Sequence, residues 1–73
     1  MKFNKNSLRI YNGRQGQKAY IAYKGNVYDV TELFQEGEHR SCIAGNDLTD
    51  VLEMMPHGDE VVGRFAVVGQ MED

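Results

Sequence analysis

The chain has 73 residues, 41% of them apolar and 26% charged, with a formal net charge of −3. That length predicts one domain, residues 1–73, whose core is marginal, because so short a chain removes only ~60% of its unfolded surface from water. A single cysteine, Cys42, excludes an internal disulfide; 8 basic residues against 11 acidic ones form no basic stripe, which argues against nucleic acid; and no run approaches the ~18 apolar residues of a membrane span.

Phe3 is placed to begin a short strand, and Asn4 to N-cap a helix over residues 5–11 that Asn12-Gly13 closes. The polar, glycine-containing stretch 14–17 reads as a loop. Residues 19–23 and 27–30 are aromatic and β-branched and are separated by Lys24-Gly25-Asn26, which predicts a hairpin. Thr31 then offers an N-cap for a short helix that carries Leu33 and Phe34 and ends at Gly37.

Asp47, with Asp50 three residues on, approximates a capping box for a second helix. Leu48, Val51, Leu52 and Met55 follow at i, i+3, i+4 and i+7, one apolar stripe whose ordinary use is core. Pro56 stops that helix, residues 59–64 add a further helical turn, and residues 65–69 read as a final buried strand. A small chain without a disulfide usually gains stability from a metal or cofactor. The two histidines, His39 and His57, sit in predicted loops with Gly37 and Gly58 nearby, so they have the chemistry to clamp one flat metal cofactor from both faces. Pro56 makes the approach to His57 rigid, and a glycine lacks the Cβ that would hold the backbone away from a ring.

The spaced residues Ala44-Gly45-x-Asp47-x-Thr49, with His57-Gly58 beginning ten residues after Asp47, resemble the second haem-ligand segment of the cytochrome b5 family. Val27-Tyr28-Asp29-Val30-Thr31 resembles a strand end of that family, and Phe65-Ala66-Val67-Val68-Gly69 its closing strand. The similarity runs from Phe3 to Gly69 and is greatest to the short prokaryotic cytochrome b5-like haem/steroid-binding domains. The family's usual His-Pro-Gly-Gly is absent here. His39 stands five residues before Ala44, too close for the helical turn that the family places between them, and its assignment as first ligand follows from its being the other histidine of the chain.

The resemblance implies an α+β fold, a small mixed sheet with short helices forming a haem pocket on one side. It implies haem b as cofactor, His39 and His57 as iron ligands, and pocket walls from Phe34, Ile43, Leu48, Leu52, Met55 and Phe65. Met54, Met55, Cys42 or an open site are the alternatives for the sixth position. Two imidazole ligands leave no vacant coordination site, which favours one-electron transfer over oxygen chemistry. The acidic residues Glu36, Glu38, Asp50, Glu53, Asp59 and Glu60 are either a solvated face or a docking surface for a basic redox partner protein.

Two other readings stay open. One is a haem, steroid or other apolar-ligand binding or sensing module without electron transfer; the other is a zinc site built from His39, Cys42, His57 and a carboxylate. A catalytic role is not expected, since the sequence has no phosphate-cradling glycine loop and no paired carboxylates. The expected protein is a monomer. A lone cysteine and the lack of a signal-like apolar run after residues 1–6 point to the cytoplasm.

Overall fold

The computed structural model describes residues 1–34 and 42–72 and the backbone of residues 38–39. In chain order these form β1 (Lys2–Phe3), α1 (Lys5–Leu8), β2 (Tyr20–Tyr23), β3 (Asn26–Asp29), β4 (Glu38–His39), β5 (Cys42–Ile43), α2 (Thr49–Glu53), α3 (Gly58–Val62) and β6 (Val67–Met71). Four strands make a mixed sheet in the order β1-β6-β3-β2, with β1 parallel to β6 and the other pairs antiparallel. Strands β4 and β5 pair separately. This is the α+β arrangement of mixed sheet and short helices that the sequence led us to expect.

Local chemistry accounts for most of the element ends. Asn4 accepts a bond from Ser7 N at 2.9 Å while the Ser7 hydroxyl accepts one from Asn4 N at 2.9 Å, a reciprocal capping box. Helix α1 is shorter than predicted. Past Leu8 the chain tightens, with Ile10 N and Tyr11 N donating to the carbonyls three residues back. Tyr23 and Asn26 are a cross-strand pair, so the hairpin loop is Lys24-Gly25 alone. Both have positive φ, 49° and 84°, the type I′ geometry that suits the strand twist and in which glycine costs least.

An Asp-x-Thr device recurs at two chain reversals. Asp29 Oδ1 accepts from Thr31 N at 3.1 Å and from its hydroxyl at 2.5 Å; Asp47 Oδ1 accepts from Thr49 N at 3.0 Å and its hydroxyl at 2.6 Å. Each threonine oxygen also accepts a backbone N–H of the hairpin, Ala19 N at 3.0 Å and Lys24 N at 2.9 Å. The hydroxyl of Thr31 is thereby committed to the sheet and does not cap a helix. Residues 31–34 instead make a single turn in which Leu33 N and Phe34 N donate to Val30 O, and the predicted end of that helix at Gly37 lies outside the described residues. At the second device, Asp47 is paired with Thr49 and not with Asp50, and the N-cap position of α2 falls on Leu48, which makes no side-chain cap bond.

Two predicted boundaries need correction. The stripe helix runs over Thr49–Glu53, with Met54 and Met55 in the following turn. The last strand begins at Val67, and it is not buried: Val67 is 52% exposed. Phe65 instead closes α3, its N–H donating to Val62 O at 3.0 Å. An apolar run fixes that a strand forms without fixing how much of it is covered.

Strand alternation sends side chains to two separate cores. Ile21, Tyr23 and Val30 join Phe34, Cys42, Leu48, Leu52 and Val62 on one side. Ala22 and Val27 join Phe3 and Leu8 on the other, with Tyr11, Tyr20 and Val68 against them. Segment 45–48 covers the outer edge of β2 through Gly45 N to Tyr20 O, Ala22 N to Asn46 O and Leu48 N to Ala22 O, and so delivers α2 to the first of these cores.

Candidate functional site

A cleft of about 360 Å³ opens on the α2 and α3 side of the sheet, within the size range of small-molecule and cofactor sites. It is lined by Ile21 of β2, Val30, Leu33, Phe34 and Cys42 of β5, by Leu52, Met55, Pro56, Gly58, Val61 and Val62 of the helical side, and by Phe65. His57 lines the same space. Among these described residues it is the one basic side chain on an otherwise apolar lining, apart from the buried thiol of Cys42.

His57 occupies the N-cap position of α3, with φ −130° and ψ 31°. Its side chain is 74% exposed, and Nδ1 stands 3.6 Å from Glu60 Oε2 across one helical turn. Pro56 precedes it at the exit of the α2 turn. The glycine after it also lines the cleft, and it has a second use: a Cβ on Gly58 would fall 2.2 Å from the carbonyl oxygen of Leu52. The missing side chain lets α3 approach α2, and only through that approach does it place His57 at the cleft.

The start of α3 is also held from the sheet. The buried phenol of Tyr23 on β2 donates to Asp59 Oδ1. Lys24 Nζ lies 3.9 Å from the same oxygen and 5.2 Å from the centre of the Tyr23 ring. Inside the helix, Val61 N donates to His57 O at 3.1 Å, and Val62 seats the far turn in the core.

Of the predicted wall residues, Phe34, Leu52, Met55 and Phe65 border the cleft. Leu48 is buried in the same core without reaching the cleft surface, and Ile43 is 51% exposed on β5. In a two-residue strand the side chains of neighbours diverge, so Cys42 turns inward where Ile43 turns out. Of His39, predicted in a loop, the backbone lies in β4, paired with Cys42; its side chain, like Gly37, Glu36 and the side chain of Glu38, lies outside the described residues. Among the described residues no three of His, Cys, Asp and Glu gather as a metal site, and no helix is long and apolar enough to cross a membrane.

Ile21, Val30, Leu33, Pro56, Val61 and Val62 were not predicted as walls. For Ile21 the signal was available, because the alternation of β2 puts it on the face of Tyr23 and opposite Ala22. For Val61 and Val62 it was not, since the sequence does not say which side of so short a helix faces inward.

Comparison with known proteins gives a consistent picture. The family model described as "Cytochrome b5-like Heme/Steroid binding domain" matches residues 4–72. Among solved structures, a cytochrome b5 domain protein of Methanococcoides burtonii superposes with a TM-score of 0.90 at 45% identity, covering 99% of this chain and 97% of that one. A Hadesarchaea cytochrome b5 domain protein superposes with a TM-score of 0.91 at 41% identity over 99% of each chain. A search of curated proteins found no match.

Proposed function

The chain belongs to the cytochrome b5-like heme/steroid-binding domain family, and from that premise we propose that it holds haem b between His39 and His57 and carries single electrons without catalysing a reaction of its own. The observation that carries the proposal is the exposed imidazole of His57 at the edge of an apolar cleft.

The residues present fit the cofactor. A porphyrin has two broad apolar faces, which the aliphatic and aromatic walls match, and an iron that takes neutral imidazole. His57 would ligate through Nε2, because Nδ1 is the nitrogen turned toward Glu60. His39 would supply the second imidazole from β4. Phe34, Leu52, Met55 and Phe65 would pack on the ring and exclude water, together with Ile21, Val30 and Leu33. Bound haem b supplies a one-electron ferric/ferrous couple whose potential is set by axial ligands and burial.

The chain's remaining task is access. Glu53, Asp59 and Glu60 are exposed on α2 and α3 along a groove that His57 also lines, while Asp50 is exposed toward α1; the first three suit a partner with a basic surface, in an association that weakens with salt. The proposed working form is a cytoplasmic monomer. An imidazole at the edge of the cleft is what separates this reading from a purely apolar-ligand module, which has no use for it.

Titration of haemin into the wild type, His39→Ala and His57→Ala, followed by visible absorption, tests the proposal. The wild type should give a low-spin bis-imidazole spectrum that each substitution abolishes. A folded wild type that leaves haemin free, or a low-spin spectrum unchanged in either variant, overturns it.

A further inference from the structure

We infer that Tyr23 and Asp59 form a clamp that positions His57, holding the start of α3 to the hairpin that contributes Ile21 to the cleft. The inference rests on the reading of His57 as an iron ligand and adds to it two residues that do not themselves line the cleft.

Helix α3 is five residues long, too short to be stable or rigid by itself. The direction of its first turn, and with it the placement of His57, is therefore set by what the turn is fastened to. Val62 anchors the opposite end of the helix in the core. Near His57 the chain is fastened at Gly58, which packs against the Leu52 carbonyl and donates its N–H to Met55 O at 3.4 Å, and secondly at Asp59, held against the sheet.

The second fastening is directional. Tyr23 is 6% exposed, and a phenol so buried needs a partner for its O–H. Asp59 supplies it although its own side chain is 73% exposed, and a hydrogen bond to a carboxylate is about twice as strong as a neutral one. Lys24 faces the same oxygen, and its backbone N–H is held by Thr49 of α2 at 2.9 Å. The tip of the hairpin is thus tied to both helices of the cleft. By contrast the contact of His57 with Glu60 is between two groups that are each more than 70% exposed, where solvent screens the attraction. The buried phenol is the better candidate for fixing where the imidazole stands.

The test uses the haemin-loaded full chain with Tyr23→Phe, which keeps the ring and removes the O–H, and Asp59→Asn. Thr49→Val serves as the control, because it loosens the same hairpin from α2 without touching α3. Two readouts are followed: transfer of haemin to an excess of apomyoglobin, and the low-spin electron paramagnetic resonance spectrum, which reports the orientation of the axial imidazoles. Both clamp variants should release haemin faster, by about 10-fold as for other groups that orient a metal ligand, and shift or broaden the resonance; Thr49→Val should leave the resonance as in the wild type. Unchanged release and resonance in Tyr23→Phe overturn the clamp and leave ligation by His57 intact. An equal shift of the resonance in Thr49→Val overturns it too, by showing general loosening. A wild type that stays colourless with haemin removes the ligation reading itself, and the clamp with it.

Discussion

The two faces of the sheet are finished differently. On the α1 face, Phe3, Leu8, Ala22 and Val27 are each at most 1% exposed, and aromatic rings close over them. Phe3 meets Tyr11 and Tyr20 edge-on at 5.8 Å, and Tyr11 stacks on Tyr20 at 4.5 Å. On the other face, Leu52 of α2 and Val62 of α3 pack into one core with Ile21 and Val30, and the cleft of about 360 Å³ is left between these elements. The first core is complete with protein atoms alone; the second has apolar walls that lack partner atoms on one side, which forfeits dispersion contacts. Stability and ligand binding should therefore be separable by face.

Truncation on the closed face gives the largest effect. Phe3→Ala removes a fully buried ring and should cost the haem-free protein about 3–5 kcal/mol in denaturant unfolding, while the variant, where still folded, gives the wild-type haem spectrum. Met55→Ala on the open face should do the reverse. Met55 is half-buried and already borders empty space, so stability changes by less than ~1 kcal/mol while haemin affinity falls. Equal stability losses at the two sites would break the division between the faces.

The next effect lies on the open face but acts through backbone. Gly58→Ala must part α3 from α2, because its Cβ would meet the Leu52 carbonyl at 2.2 Å. Overpacking of this kind costs about 1–3 kcal/mol. The loss should appear in both unfolding and haemin affinity, since the same approach of two helices builds the core and places His57. A Gly58→Ala variant with wild-type affinity would mean that His57 reaches its place by another route.

How legible this molecule is in sequence depends on the distance over which a residue acts. The capping of α1 by Asn4, the turn at Lys24-Gly25 and the Asp47-x-Thr49 device are each settled within about four positions; the first reads correctly from composition and spacing, and the turn reads one residue too long, because Asn26 pairs with Tyr23. Asp47 reads as the N-cap of the second helix with Asp50 as its partner, whereas the N-cap is Leu48 and Asp47 bonds Thr49, because spacing alone does not rank two acceptable neighbours. Site walls on the stripe helix, Leu52 and Met55, follow from helical period and from resemblance. The Tyr23 to Asp59 bond joins positions 36 apart, and neither residue carries a local sign of it: tyrosine in a strand and aspartate at a helix start both have ordinary explanations. Gly58 was legible as a site needing close approach, but whether to a ligand ring or to a neighbouring helix is a tertiary fact.

The smallest effect returns to the closed face and depends on pH. Burial, then the Asp29 carboxylate across the strand pair, then Tyr11 raise the Tyr20 phenol above its ordinary 10.0. A phenol held neutral by the fold binds its proton more tightly folded than unfolded, so its contribution to stability is complete below pH 10.0 and declines as pH rises from there through the raised value. Denaturant unfolding in alkaline solution should therefore show a loss that Tyr20→Phe reduces. Because Tyr20 packs with Phe3 and Tyr11 and lies outside the cleft lining, amide exchange should quicken first around α1, ahead of α2 and α3. Parallel alkaline losses in wild type and Tyr20→Phe would place the titrating group elsewhere, and earlier exchange in α3 would mean that the two cores do not loosen independently.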